Sequence, residues 1–253
     1  MSSSAERGTT PSVPIAGSGT IDATATGRYI ATMRIPSILA TALALLLPLS
    51  AAVPQSATRP TPGYVRVRFD TSAGPIVVAL DARRAPQTTR NFLAYVDDGR
   101  FDGTVFYRSA RRKSDPSLGF VQGGIRTDAR RILPPFPHER TDRTGVRHVD
   151  GAISMARRPE ANSAGGNFVL LVGAMPSMDA KGAFDGYAAF GRVVGGMATV
   201  KRILSLPTGG GMDAMKDQMI LKPVRIVRAR RLDGTPRPTG RLKPWLIDVP
   251  RPR

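Results

Sequence analysis

Residues 64–80 carry the plainest pattern in the chain. Tyr64-Val65-Arg66-Val67-Arg68-Phe69 alternates apolar and basic side chains, the two-residue period of a strand with one buried face. Thr71-Ser72-Ala73-Gly74-Pro75 has turn chemistry and Ile76–Leu80 is a second β-branched run, so the segment is expected to form a hairpin. The period then lengthens. Pro86 stands where the first turn of a helix accepts it, Phe92, Leu93 and Val96 recur at helical spacing, and Gly99 lies just past the end. A second helix is expected over Met197–Leu204, where Met197, Val200, Ile203 and Leu204 repeat that spacing until Pro207 stops it. Lys222–Ala229 alternates again and reads as a final strand.

Outside these segments the pattern fails. Residues 1–32 are polar, small and patternless, as in a disordered extension. Met33-Arg34 then introduces the apolar run Ile38–Leu47, shorter than the roughly 20 residues a spanning helix needs. Pro48 and small residues follow, offering cleavage after Ala51, Ala52 or Ala57. Residues 33–57 therefore read as a secretory signal peptide. Met33 is the expected natural start and residues 1–32 an artefact of start-site choice; an uncleaved anchor is the alternative. Residues 58–63 read as a linker, 64–231 as the folded domain, and 232–253 as a solvated basic Pro/Arg-rich tail in which Trp245-Leu246-Ile247 could dock. This organisation predicts a periplasmic or secreted protein with no stable membrane span once the signal is removed.

Composition narrows the classes further. The 253-residue chain, 41% hydrophobic, can bury a sizeable core. It holds no cysteine, which excludes disulfides, thiolate metal sites, a cysteine nucleophile and lipid attachment at the cleavage site. A formal charge of +18 favours acidic partners. Specific nucleic-acid binding is nevertheless not expected, because there is no Cys/His zinc pattern, no aromatic-basic strand signature and no helix with a basic stripe.

Phe106-Tyr107-Arg108, with Gln122-Gly123-Gly124 downstream, could bring a cation and an amide to one groove with little bulk between them. Alone, the same residues also read as a surface charge and a turn. Their setting adds to this. A hairpin, a helix carrying Ala85-Pro86, Thr88 and Asn91-Phe92, the strand Phe101-Asp102-Gly103-Thr104-Val105-Phe106-Tyr107-Arg108 and Gln122-Gly123-Gly124 come in that order. Gly151-Ala152-Ile153-Ser154-Met155-Ala156, Asn162-Ser163-Ala164-Gly165-Gly166-Asn167-Phe168, Phe184-Asp185-Gly186 and Phe190-Gly191-Arg192-Val193 follow. The series resembles the cyclophilin family of peptidyl-prolyl cis-trans isomerases, from about residue 64 to about residue 231.

The resemblance implies a mainly β fold: a closed eight-stranded antiparallel barrel capped by two helices, its last strand closing on its first. It also implies an enzyme that isomerises X-Pro bonds in unfolded or extended proline-containing polypeptides, as a monomer and without a cofactor. Arg108 matches the family's catalytic arginine, and Gln122 the glutamine that holds that arginine and the substrate carbonyl. Phe106, Phe120, Ala156, Arg157, Asn167, Val169, Phe184 and Tyr187 are the expected substrate-binding residues. Several depart from the family pattern. Phe120 stands at a methionine position, and the phenylalanine before it is lost or shifted. Asn167-Phe168-Val169 replaces Gln-Phe-Phe, with a shorter amide and no aromatic floor, while alternation assigns Phe168 to the core. Phe184 falls at a leucine position and Tyr187 near a histidine position. Ala183 replaces the tryptophan that contacts cyclosporin. These changes imply an activity that is retained though open to reduction.

The chemistry needs no nucleophile. A catalyst must bind the twisted amide better than the planar one, with a donor aimed at the prolyl nitrogen as resonance is lost, and a guanidinium suits that task. Arg111-Arg112-Lys113 and Arg157-Arg158 read either as solvated charge or as a basic rim that steers acidic peptides. Gly209-Gly210-Gly211 lacks the Lys-Ser/Thr of a phosphate loop and reads as a flexible turn. His138 and His148 lie in loop-like sequence without an acidic or thiol partner at metal spacing, so neither a zinc site nor a serine triad is expected. Two rivals to the enzyme remain: the same barrel as a catalytically weak binding or chaperone module, and a basic structural protein held on an anionic envelope polymer.

Overall fold

The structure is a computed structural model that describes residues 61–247; the extension, the signal segment and the start of the linker lie outside them. The hairpin of residues 64–80 is strands β1 (Tyr64–Thr71) and β2 (Ile76–Asp81), paired antiparallel from Tyr64 opposite Asp81 to Phe69 opposite Ile76. Helix α1 (Pro86–Asp97) follows, then β3 (Val105–Arg111), β4 (Gly119–Gly124) and a single-turn helix α2 (Thr141–Thr144). Strands β5 (Ala152–Met155), β6 (Asn167–Val172) and β7 (Ala189–Gly195) lead to helix α3 (Met197–Leu204). The two-residue strand β8 (Thr208–Gly209) and the long β9 (Met219–Arg231) complete the series.

The sheet runs β1-β2-β7-β5-β6-β4-β3-β9 and returns to β1 through Val67 opposite Arg231 and Phe69 opposite Ala229. Eight strands therefore close on themselves, with β8 attached only to β9. Phe69, Phe92, Phe101, Phe106, Phe168 and Phe190 are fully buried and fill the interior with tilted and edge-on ring pairs. Helix α1 contributes Phe92, Leu93 and Val96 to this core, and α3 contributes Val200, Ile203 and Leu204. Among the described residues no helix is long and apolar enough to cross a membrane.

Two local features of the barrel wall place the side chains of the groove. The first is at β4, where a Cβ on Gly123 would stand 2.8 Å from the Phe106 ring, and one on Gly124 would meet the Gly166 carbonyl oxygen. Gly123-Gly124 is thus strand backbone that must lie close to its neighbours, and not a turn. The second is a bulge in β3. Phe106 pairs with Gly123 but Arg108 pairs with Gln122, leaving Tyr107 as the extra residue, and the pairing to β9 shifts at the same point. Without it, the two-residue period would put Arg108 on the same face as Phe106.

Residues 234–242 of the tail are exposed, and the segment is nevertheless anchored to the end of α1. Asp97 and Asp98 stand at the C-terminal end of α1, where the helix dipole disfavours negative charge. Arg231 pairs with Asp97 at 2.6 Å and the buried Arg100 with Asp98 at 2.8 Å. The spare lone pairs then hold the tail: the Arg237 N–H donates to Asp97, and the Thr239 N–H and hydroxyl donate to Asp98. The Trp245 ring lies against the Arg100 and Arg131 guanidinium groups, with its centroid 4.7 and 5.2 Å from their carbons.

Phe92 touches Phe69, Phe101, Phe168 and Phe190 with ring centroids 5.1–6.2 Å apart. Phe92→Ala is expected to cost about 3–5 kcal/mol, read as a fall in the urea midpoint with an unchanged slope.

Candidate active site

Strand register assembles the site. Arg108 on β3 lies opposite Gln122 on β4, Gln122 opposite Val169 on β6, and Val169 opposite Ser154 on β5. Side chains directly opposite one another share a face, so the row runs across four strands on the face turned away from the core. Val169 there joins a small apolar cluster with Ala152 and Leu171, against which Phe120, Met175 and Met178 pack.

Arg108 is held on three sides. Its Nη1 donates to Gln122 Oε1 at 3.0 Å, its Nε to Gln218 Oε1 at 2.9 Å, and its Nη2 to the Ala214 carbonyl at 3.0 Å. Three of five N–H donors are committed, leaving one on each Nη. The Phe120 ring lies beside the guanidinium with its centroid 5.1 Å away. Burial lowers the Arg108 pKa, and the nearby Tyr107 and Tyr187 oppose that shift. Burial likewise pushes the Tyr107 phenol up to about 12, against the pull of the Arg108 and Arg126 charges.

Gln218 and Ala214 carry no motif that marks them in the sequence. They belong to the segment ahead of β9, where Gly211, Asp213 and Asp217 take left-handed backbone (φ 82°, 50° and 59°) that bends the chain toward Arg108. An amide immediately before the last strand is the only signal available there. It becomes meaningful once Arg108 is known to face Met219 across β3 and β9.

The other expected residues divide. Phe120 and Val169 are at the site, as described. Tyr187 stacks on Arg157, 5.5 Å from the guanidinium carbon, and meets the exposed Phe184 edge-on at 6.4 Å. Ala156 lies just beyond β5, its N–H donating to the Asn167 carbonyl at 2.9 Å. Phe106 is corrected: it is fully buried against Phe168 and Gly123, on the wrong side of the β3 bulge to meet a substrate. Asn167 is half-buried and has a structural task. Its amide accepts from the Arg126 N–H at 2.7 Å and donates to the Arg126 carbonyl at 2.9 Å, so it latches the loop after β4. Arg157 is tied by Nε to the Gly186 carbonyl and by Nη1 to the Arg158 and Pro159 carbonyls. Arg112 donates to the Ala174 carbonyl and Arg111 to Thr208 Oγ1. Among the described residues, none of Arg108, Arg111, Arg112, Arg157 and Arg158 pairs with a carboxylate.

His148 has the acidic partner that the sequence did not reveal. Its Nδ1 lies 2.7 Å from Asp179 Oδ1 and its Nε2 2.8 Å from Ser154 Oγ. With a carboxylate at Nδ1, the neutral ring donates there and accepts the serine hydroxyl at Nε2. The arrangement has triad connectivity but not triad access: Ser154 is 0% and His148 1% exposed, so no substrate reaches them. It fixes β5 behind Val169 instead. No group of three or more His, Asp or Glu side chains able to hold a metal occurs among the described residues.

Comparison with known proteins agrees with this architecture. A family model described as cyclophilin type peptidyl-prolyl cis-trans isomerase matches residues 65–231. Peptidyl-prolyl cis-trans isomerase A of Dickeya dadantii is 32% identical over 165 residues, covering 64% of this chain and 84% of the relative. A peptidyl-prolyl cis-trans isomerase of Streptomyces antibioticus is 34% identical over 170 residues, covering 64% of this chain and 98% of the relative. The crystal structure of a cyclophilin-type isomerase from Cryptosporidium parvum superposes with a TM-score of 0.53 at 20% identity, over 68% of this chain and 99% of that one.

Burial depresses the His148 pKa below its ordinary 6.5, outweighing Asp179. The unfolded chain therefore takes up a proton first as the pH falls through about 6.5, and the stability present above that value is lost toward the folded-state pKa. His148→Gln is expected to be less stable than wild type at pH 8 yet to lose less on acidification to about pH 5. Urea midpoints at both pH values test this; equal losses in the two proteins would remove His148 from the acid response.

Proposed function

Because this chain belongs to the cyclophilin-type peptidyl-prolyl cis-trans isomerase family, we propose that it isomerises X-Pro bonds in exported proteins, with Arg108 as the electrophilic donor. Rotation about the X-Pro bond faces a barrier of roughly 18–20 kcal/mol because amide resonance must be lost. As the bond twists, the prolyl nitrogen regains a lone pair, and a donor aimed at it stabilises the twisted state more than the planar one. Arg108 has one N–H on each Nη to offer, while Gln122, Gln218 and the Ala214 carbonyl hold its plane. Phe120 and Val169 supply the apolar floor for the proline ring, and Tyr187 with Phe184 the far wall. No covalent bond is made or broken.

A guanidinium fixed by three bonds beside an apolar cluster, with two donors in reserve, carries this reading. It favours an enzyme over a binding module, which would not need the donor's plane held. The reading as a bacterial protein of the periplasm or medium rests on Met33-Arg34, the apolar run Ile38–Leu47 and the small residues that follow. On that basis residues 33–57 are the signal, 58–63 the linker and 64–231 the catalytic domain. The clients are polypeptides with exposed X-Pro bonds.

Arg108→Ala is expected to lower kcat/KM in a proline-peptide assay by about 10²–10³-fold while circular dichroism stays unchanged. Arg108→Lys is not expected to restore the rate, because an ammonium cannot occupy both Gln acceptors and still point at the substrate. A wild-type rate in either variant sinks the mechanism. With exposed Ala183 in place of an aromatic side chain, cyclosporin is expected to inhibit weakly, and nanomolar inhibition refutes that. The exported protein should begin after Ala51, Ala52 or Ala57; a mature end inside residues 1–32 overturns the signal assignment.

A further inference from the structure

Strand β9 passes Arg108 at Met219, then continues to Arg225 opposite Val105 and Arg230 opposite Arg68. Arg225 thus stands opposite a residue three positions, about 10 Å, along β3 from Arg108, and the strand runs on from there away from the peptide groove. Here the outer side chains of β9, the end of α1 and the docked tail enclose an open cavity of about 830 Å³. Arg225, Arg228, Arg230, Arg131, Lys243 and Trp245 are among its walls.

The charges in this cavity do not balance. Asp97 is taken by Arg231 and the Arg237 N–H, and Asp98 by Arg100 and Thr239. Arg131 shares Asp128 at 3.3 Å, and Arg230 has only Asp70 at 3.9 Å among the described residues. The side chains of Arg225, Arg228 and Lys243 have no ion pair or hydrogen bond among the described residues. The remaining acid of the cavity wall is Asp102, which feels the charges of Arg228, Arg131 and Lys243 and already accepts the Ala229 N–H at 2.9 Å. One carboxylate cannot offset three such cations, and their mutual repulsion is relieved by an incoming anion. Guanidinium forks match the oxygens of phosphate or carboxylate in pairs.

We propose that this cavity binds a multivalent oxyanion, a linear chain of two or more phosphoryl groups, through Arg225, Arg228 and Lys243 and separately from the isomerase groove. Arg225 and Arg228 stand three residues apart on β9, about 10 Å along the strand, so a ligand that reaches both carries more than one anionic group. The proposal does not rest on the isomerase reading, and its readout is independent of turnover.

The chain's single tryptophan is Trp245, so its fluorescence reports directly on the cavity wall. Titration with sodium tripolyphosphate at fixed ionic strength is expected to give a saturable change. Orthophosphate should bind at least about tenfold more weakly, because it forms fewer charge-assisted hydrogen bonds and each is worth about that factor. The double variant Arg228→Ala/Lys243→Ala, its fold checked by circular dichroism, should bind tripolyphosphate about tenfold or more weakly than wild type. Its proline-peptide rate should equal that of wild type. If the double variant does not fold, the single variant Arg225→Ala replaces it, with the same weakening expected. No saturable change, equal binding of orthophosphate and tripolyphosphate, or wild-type affinity in the variants overturns the proposal.

Discussion

One extra residue in β3 decides what this barrel can do. Phe106 fills the core and, in a regular strand, residue 108 would follow it inward. The bulge at Tyr107 reverses that direction, so the guanidinium meets Gln122 on the outer wall while Ser109 turns back to donate to the Leu204 carbonyl of α3. Pairing with both neighbouring strands shifts at the same step, which means the reversal is held from two sides. Burying Arg108 inward would leave a cation without compensation, at a cost far above any single contact in the fold.

The polar residues divide the labour on this surface. Away from the groove, several arginines are neutralised by aspartates: Arg66 by Asp233, Arg84 by Asp81 and Arg231 by Asp97. Around the groove they bind carbonyl oxygens and amides instead, which fixes their planes without cancelling their charge. A cation that must act on a neutral amide nitrogen needs this arrangement, since a carboxylate partner would compete with the substrate for its donors.

Regular periodicity is the legible part of the sequence. The hairpin of β1 and β2 and both long helices follow from alternation and helical spacing, and the motif order carries the closed barrel and the pairing of Arg108 with Gln122. Exceptions to periodicity are not legible. Phe106 reads as a groove residue because a bulge leaves no mark in composition. Nothing in the sequence shows that the Asn167 amide will also hold the Arg126 backbone. His148 and Asp179 are 31 residues apart, and Gln218 is 110 residues from Arg108, so only the closed sheet brings each pair together. The tail reads as solvent-borne because its anchors, Asp97 and Asp98, lie in a distant helix.

Closure of β9 onto β1 also bears on the company such a protein keeps. A catalyst of late folding steps works among chains whose backbone donors and acceptors are still looking for mates. An open sheet would invite them to zip onto its margin and stay. Here both margins of the eight-stranded wall are spent on each other, so a passing chain finds no edge to extend and can let go.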